Sequence, residues 1–467
     1  MGLPIRGSIS AMPRRQRGAV LVLVTIALLA ILAMGALAMD GGHLLLNKAR
    51  LQNAVDAAAL SGAKTLSKAL DDPDAYLAAA ADARQTFENN ALAAGNSELS
   101  VAMKAAGGKN GFVVVEFSAS VYGAFVPSPA PGTNVRYVRV SVPDFPLTGF
   151  LWGILQVLGD GDAPDKAVAA IATAGPSPTA APCDLSPLVV CGVEQAGTYH
   201  GYQFGDLEVL KTAADDESLA NGNYQLLDFS KFDPKYGGGK TVGQLLAGGG
   251  TACPEIGDEA FTKPGNTVGQ AISGLNTRMN EYEGSFKSTE DDYPPDLVVG
   301  YDKVGKDPAL SLDANGVIVH GASNKSAGVP VSADSNGNLS YTDPATSATV
   351  PLLDYNDWKD ASSACLQGQG SCTDGGVFER RILKIVVGDC TGLKGGATQV
   401  PVLGFGCFFL VQPGIHTGGD AQIFGQFVEE CEGDGVAGPT PEDDQGPMII
   451  QLYKTFLENG STPSKDS

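Results

Sequence analysis

The residues of this 467-residue chain best suited to chemistry are eight cysteines and four histidines. The cysteines are Cys183, Cys191, Cys253, Cys365, Cys372, Cys390, Cys407 and Cys431, all beyond residue 180. None forms a CxxC pair, and the histidines are too few for zinc-ligand spacing. An even cysteine count in an exported segment reads as disulfides. Cys183/Cys191 and Cys365/Cys372 stand close enough to close local loops. Cys390 and Cys407 flank two expected strands and would be bridged if those strands are neighbours. Buried free thiols are the competing reading.

A nucleophilic site needs Ser, Cys or Thr with a base and a carboxylate. His43, His200, His320 and His416 stand apart in the sequence, and no Gly-x-Ser-x-Gly elbow occurs. Gly237-Gly238-Gly239-Lys240-Thr241 lacks the first glycine of a phosphate loop and the strand that should precede it. Asp334-Ser-Asn336-Gly-Asn338 resembles a calcium loop, but its glycine comes too early, so it reads as a turn. Asp313-Ala-Asn315-Gly316 reads as a hairpin turn too. The acidic run Glu429, Glu430, Glu432 and Asp434 reads as a solvated loop. No catalytic, cofactor-binding or metal residue is assigned, and the expectation is a protein that is not an enzyme. A periplasmic hydrolase built near His416 or His320 is the alternative from that class.

The net charge of −21 excludes sequence-independent nucleic-acid binding, which needs Lys and Arg against phosphate. Hydrophobic content of 43%, with 60 glycines and 28 prolines, fits a turn-rich globular chain of two or three domains.

These elements hang from Gly18–Met39, a run without a charged side chain. A bilayer core of ~30 Å takes about 20 such residues as a helix. Arg6, Arg14, Arg15 and Arg17 precede the run, which predicts a cytoplasmic N-terminus and the bulk of the chain on the other side. A signal peptide has a shorter apolar region, so the run is read as an anchor. Cleavage after Ala36-Leu37-Ala38 is the alternative. Beyond Asp40, Leu44, Leu51, Val55, Ala58, Gly62 and Leu66 recur at helical spacing within a stripe of small residues. Such a stripe packs closely, either on its own domain or in a multi-subunit bundle, where it would permit self-association.

Arg17-Gly18, the apolar run, Ala38-Met39-Asp40-Gly41-Gly42 and the run Leu51-Gln-Asn-Ala-Val-Asp-Ala-Ala-Ala-Leu-Ser-Gly-Ala63 resemble the N-terminal region of the Flp (tight-adherence) pilus assembly TadG-like family. The resemblance covers roughly Pro13 to Thr65. It implies a membrane-anchored accessory factor of pilus assembly with a periplasmic ectodomain, beside pilin-like or Tad secretion proteins. Gly18 is followed by Ala19-Val20-Leu21-Val22-Leu23 without the early acidic residue of prepilin-like relatives, so prepilin-peptidase processing is not expected. Neither Asp184-Leu185-Ser186 nor Asp228-Phe229-Ser230 completes the Asp-x-Ser-x-Ser metal motif that some TadG-like proteins carry.

The expected fold is α+β. A cytoplasmic tail (1–17) leads into the transmembrane helix (18–39). A stalk helix and pilin-like α+β domain follow (40–174). A helix over Asp74–Ala94 precedes strands at Leu99–Lys104, Phe112–Tyr122, Val135–Val142 and Lys166–Thr173. Phe145–Leu158 is read as a helix covering the sheet, with a membrane- or partner-docking patch as the alternative. Residues 175–182, Gly-Pro-Ser-Pro-Thr-Ala-Ala-Pro, are read as an extended linker. The second domain (183–458) is expected to be mainly β and disulfide-bonded. A helix capped by Asn266 is expected there, with strands at Asp296–Tyr301, Gly316–His320, Arg380–Val387, Val402–Val411, Ile423–Glu429 and Met448–Tyr453. Ser335-Asn-Gly-Asn338 signals a hairpin. The tail (459–467) is expected to be disordered. The function expected is a non-enzymatic, inner-membrane pilus-assembly protein; the alternative is an exported envelope or surface adhesion module on the same anchor.

Overall fold

The computed structural model describes residues 17–68, 72, 74–130, 133–149, 166–212, 219, 223–231, 236, 239–248, 253–263, 268–322, 327–417, 420–433, 435–437 and 446–455. The expected tails, the apolar stretch from Phe150 onward and the cap at Asn266 lie outside the described residues.

No proline interrupts the first 52 described residues, which form one helix, α1 (Arg17–Lys68), about 78 Å long at 1.5 Å per residue. Its first half touches little protein: large side chains from Val20 to Met34 are 56–71% exposed. Its second half buries Leu51, Ala54, Val55, Ala58, Gly62, Ala63 and Leu66. That face packs on its own domain. Helix α2 (Ala75–Ala91) runs back along it, as the bonds Thr65–Asp82 and Thr86–Ser61 register. A Cβ added at Gly62 would lie 3.1–3.2 Å from Ala83, Ala79 and Val138, so the glycine sets how closely the three elements approach.

Helices α3 (Ser97–Ala105) and α4 (Lys109–Phe112) follow. The strand expected at Leu99–Lys104 is therefore helical. Leu99, Val101 and Met103 alternate, but Leu99 and Met103 also stand four apart; both are buried while Val101 is 67% exposed, which is the helical solution. Strands β1 (Val114–Ser118), β2 (Tyr137–Pro146) and β3 (Ala167–Pro182) form an antiparallel sheet whose apolar side, Val138, Val140, Val142, Ala170, Ala172 and Ala174, closes the core against α1.

The stretch 175–182 is not a spacer: it is the second half of β3. The last β2 pair is Val138 with Ala174; beyond it β3 pairs with the chain's last strands, with residues 448–453 as far as Pro178 and with residues 435–437 over Thr179–Pro182. Pro176 and Pro178 stand two apart, which puts their missing N–H positions on the same edge.

Beyond β3 come β4 (Leu188–Gly192), β5 (Leu207–Thr212), β6 (Asn223–Leu226), helix α5 (Gly239–Leu246), β7 (Glu259–Phe261) and helix α6 (Val268–Asn276). Ile272, Leu275 and Met279 are buried, the face expected from their spacing. Asp296–Tyr301 is not a strand; it makes one isolated bridge, Asp296 to Val377. A small hairpin, β8 (Lys303–Val304) and β9 (Asp307–Pro308), precedes a five-stranded meander. The meander strands are β10 (Leu310–Leu312), β11 (Ile318–His320), β12 (Val329–Ala333), β13 (Leu339–Thr342) and β14 (Thr349–Pro351). The Asn-Gly turn joins β12 to β13 as expected. Helix α7 (Tyr355–Leu366) starts at Asp354, whose carboxylate accepts from the amides of Asn356 and Asp357.

The last strands are β15 (Ile382–Asp389), β16 (Gln399–Leu410), β17 (Ile415–Thr417), β18 (Asp420–Val428), β19 (Glu430–Glu432), β20 (Gly435–Ala437) and β21 (Gly446–Tyr453). β15 and β16 are neighbours, as expected. Because β18 bonds to both β5 and β16, the strands β18-β5-β6-β4-β15-β16 close into a ring. Alternate side chains from each strand, among them Val190, Leu210, Tyr224, Ile385, Phe408 and Ile423, meet in one core capped by α5 and α6. The chain then leaves the ring: β21 pairs with β3 from Met448↔Pro178 to Tyr453↔Thr173.

All eight cysteines are in disulfides: Cys183–Cys253, Cys191–Cys390, Cys365–Cys372 and Cys407–Cys431. The local Cys365–Cys372 loop is as expected. Cys183–Cys191 and Cys390–Cys407 are not formed. Cys191 and Cys390 end the parallel neighbours β4 and β15, so they meet across 199 residues of sequence.

Candidate functional site at the membrane-exit junction

The apolar part of α1 ends at Asp40. Asp40, His43 and Asn47 stand at positions i, i+3 and i+7, which places them on one helical face. That face meets two other elements. Glu98 comes from the first turn of α3. Lys166 comes from the foot of β3, where its carbonyl accepts from Leu147 N–H at 2.7 Å. The Lys166 ammonium lies 3.2 Å from Asp40 Oδ1 and 3.0 Å from His43 Nδ1. His43 Nε2 lies 2.7 Å from Glu98 Oε2, and Asn47 Nδ2 donates to the same oxygen at 3.0 Å.

The donor inventory assigns the imidazole. Lys166 offers donors only, so in this arrangement His43 Nδ1 is the acceptor facing Lys166 and Nε2 the donor facing Glu98. The Asp40 and Lys166 side chains are 3% and 2% exposed, so this is a buried ion pair. What the arrangement does is fasten the helix to the foot of the sheet and to α3 at the level where the apolar run stops.

A second polar region is the seam between the β1–β3 unit and the strand ring. Lys64 pairs with Glu432 at 2.7 Å and Arg136 with Glu430 at 2.6 Å. Two cavities of about 490 and 480 Å³ open along it. Lys68, Glu379 and Glu432 line both. Glu379 has a left-handed backbone, φ 60°, rare for a residue with a side chain. Its Oε2 accepts from Glu432 N–H at 2.8 Å. Burial pushes the Glu379 carboxyl up to about 7, although Lys384 pulls it back. Burial, aided by Asp206, likewise pushes Glu208 up to about 7.

Buried charge also holds the β15 entrance. Asp296 accepts from Trp358 Nε1, Arg381 N–H and Val298 N–H, each at 2.8 Å. The Arg381 guanidinium donates to the carbonyls of Val298, Gly300, Leu410 and Val411. Arg278 donates to Leu246 and Arg380 carbonyls, and its burial lowers its pKa.

The structure does not bring the four histidines together. His43 is in the junction. His200 lies 3.2 Å from Glu194. His320 stacks on Tyr341 with centroids 4.3 Å apart. His416 is exposed on β17. Asp334 accepts from the Asn338 side chain and from the amides of Asn338 and Asn336, and Asp313 from the amides of Val317 and Asn315; these bonds hold both carboxyls below their ordinary range. Of the acidic run, Glu430 and Glu432 are in the seam's ion pairs, and Asp434 is outside the described residues. Among the described residues no group of three or more His, Cys, Asp or Glu is placed to hold a metal ion. Sequence reasoning missed the whole junction, Asp40, His43 and Asn47 as well as Lys166 and Glu98. The spacing of Asp40, His43 and Asn47 was visible; nothing in the sequence marks their partners.

No curated protein and no solved structure matches the chain. Residues 18–65, from the start of the apolar run to the end of the small-residue stripe, carry the junction's helical face and match the Tad family model, Flp pilus-assembly TadE/G-like.

Proposed function

We propose that this chain is a non-enzymatic, membrane-anchored accessory protein of Flp/Tad-type pilus assembly. In this reading α1 crosses the inner membrane with its N-terminus in the cytoplasm, and the disulfide-bonded remainder lies in the periplasm. The observation that carries the reading is the match over 18–65 to a pilus-assembly family. It falls on a helix whose first half is apolar and uncovered and whose second half is built into a folded domain. The stripe of small residues is occupied by α2, β2 and β3, so partners would meet other surfaces. These are the uncovered half of α1 and the ectodomain exterior.

Deleting the gene in its own host and counting pili tests this reading. Loss of pili is expected, restored by the full chain but not by a version whose residues 18–39 are replaced by a cleavable signal. Normal pili in the deletion strain would refute it. A second reading, an envelope-adhesion module on the same anchor, draws on the match ending at residue 65, before the strand ring begins. Normal pili together with binding of the purified ectodomain to cell envelopes would favour it.

A further inference from the structure

We propose that bilayer contact does not end at Asp40, and that the underside of the folded domain sits in the headgroup layer. This rests on the reading of α1 as a membrane anchor. Gly18–Met39 alone spans ~33 Å, enough for the ~30 Å hydrocarbon core. Beyond it, α1 has two different sides. Asp40, His43 and Asn47 face protein, and the charges of Asp40 and Lys166 are hidden in their ion pair. The other side carries Met39, Leu45 and Leu46, which are 59%, 68% and 49% exposed, with Gly42 also exposed and no charged side chain until Lys48. Extending the contact to Leu46 carries it ~10 Å beyond Met39, on the side of the outer headgroup layer.

The occupant that fits an apolar face continuous with the anchor, beside a hidden ion pair, is the lipid surface itself.

The test uses the full chain in nanodiscs, with Trp152→Phe so that buried Trp358 is the only native emitter. Single tryptophans are placed by Leu46→Trp, by Leu29→Trp in mid-span, and by Ile256→Trp at an exposed site in the strand-ring half. Lipids brominated high on the acyl chain are expected to roughly halve the emission added by Leu46→Trp, as for an interfacial residue, and to leave that of Ile256→Trp unchanged. Quenching at Leu29 without quenching at Leu46 would overturn the inference and leave the anchor reading standing. Blue-shifted but unquenched emission at Leu46 would also overturn it, because a second protein surface would then cover the face. No quenching at Leu29 would overturn the anchor reading itself. Leu45→Trp repeats the measurement should Leu46→Trp fail to assemble its disulfides.

Discussion

Asp40→Asn is the most direct test of the junction. The change preserves shape and removes one charge. At 3.2 Å and an effective dielectric of about 20, the Asp40–Lys166 attraction is about 5 kcal/mol. With the Lys166 side chain only 2% exposed, water cannot replace the lost carboxylate. Breaking a buried pair by removing one partner costs about 3–5 kcal/mol, whereas replacing both partners by uncharged groups is often near neutral. Native-state hydrogen exchange on the full chain in detergent micelles reads this at the slowest amides of β2 and β3. Protection there is expected to fall by roughly two to four orders of magnitude in Asp40→Asn, and most of it to return in Asp40→Asn/Lys166→Met. A single variant within about 1 kcal/mol of the parent would refute the reasoning, since the pair would then be solvated. A double variant as weak as the single would refute it too, because the cost would not come from a stranded ammonium.

Three further outcomes follow from the second half of the chain. Asp296→Asn keeps one acceptor where three donors converge, and is expected to lower stability by about 2–4 kcal/mol and to shift Trp358 fluorescence; an unchanged denaturant midpoint would contradict the role given to Asp296. Glu379 titrates near 7 when folded and near its ordinary 4.5 when unfolded, so its folded form holds a proton the unfolded form has lost. The stability it contributes is full below 4.5 and is lost as pH rises toward and through 7; Glu379→Gln should flatten that fall in melting temperature between pH 4.5 and 8, with Glu208→Gln removing a further part. Chain-entropy arithmetic gives about 5 kcal/mol for Cys191–Cys390, across 199 residues, and about 2.5 kcal/mol for Cys365–Cys372, across 7; double serine variants compared in urea should keep that order.

What the sequence made legible follows from periodicity. The apolar run of α1 and its small-residue stripe could be read because one helix repeats its face every three or four residues. β15, β16, β18 and β21 could be read because apolar runs between turn residues have few other uses. The pairing of distant elements carries no such local mark. Nothing near Cys191 says that β4 lies parallel to β15, so the Cys191–Cys390 bond was invisible and the nearer Cys183 looked the better partner. Pro176, Pro178 and Pro182 argued for a spacer because proline disrupts an inner strand; that β2 stops at Ala174 while β21 and β20 carry the pairing on to Pro182 is a tertiary fact. Leu99–Lys104 fitted both periods, and only burial chose between them. The junction was half legible, since its helical residues share a face while Lys166 and Glu98 are brought in by the fold.

The pairing of β21 with β3 bears on the order of folding. The sheet that rests against α1 takes one of its strands from residues 446–453, more than 260 positions after β3 ends. While the ribosome is still adding those residues, β3 has a bare edge along Thr173–Pro178, and an unpaired edge is a template for the wrong neighbour. The part of the molecule made first is thus among the last to be finished, and a chain truncated before residue 446 would keep its helix yet carry an open seam prone to aggregation.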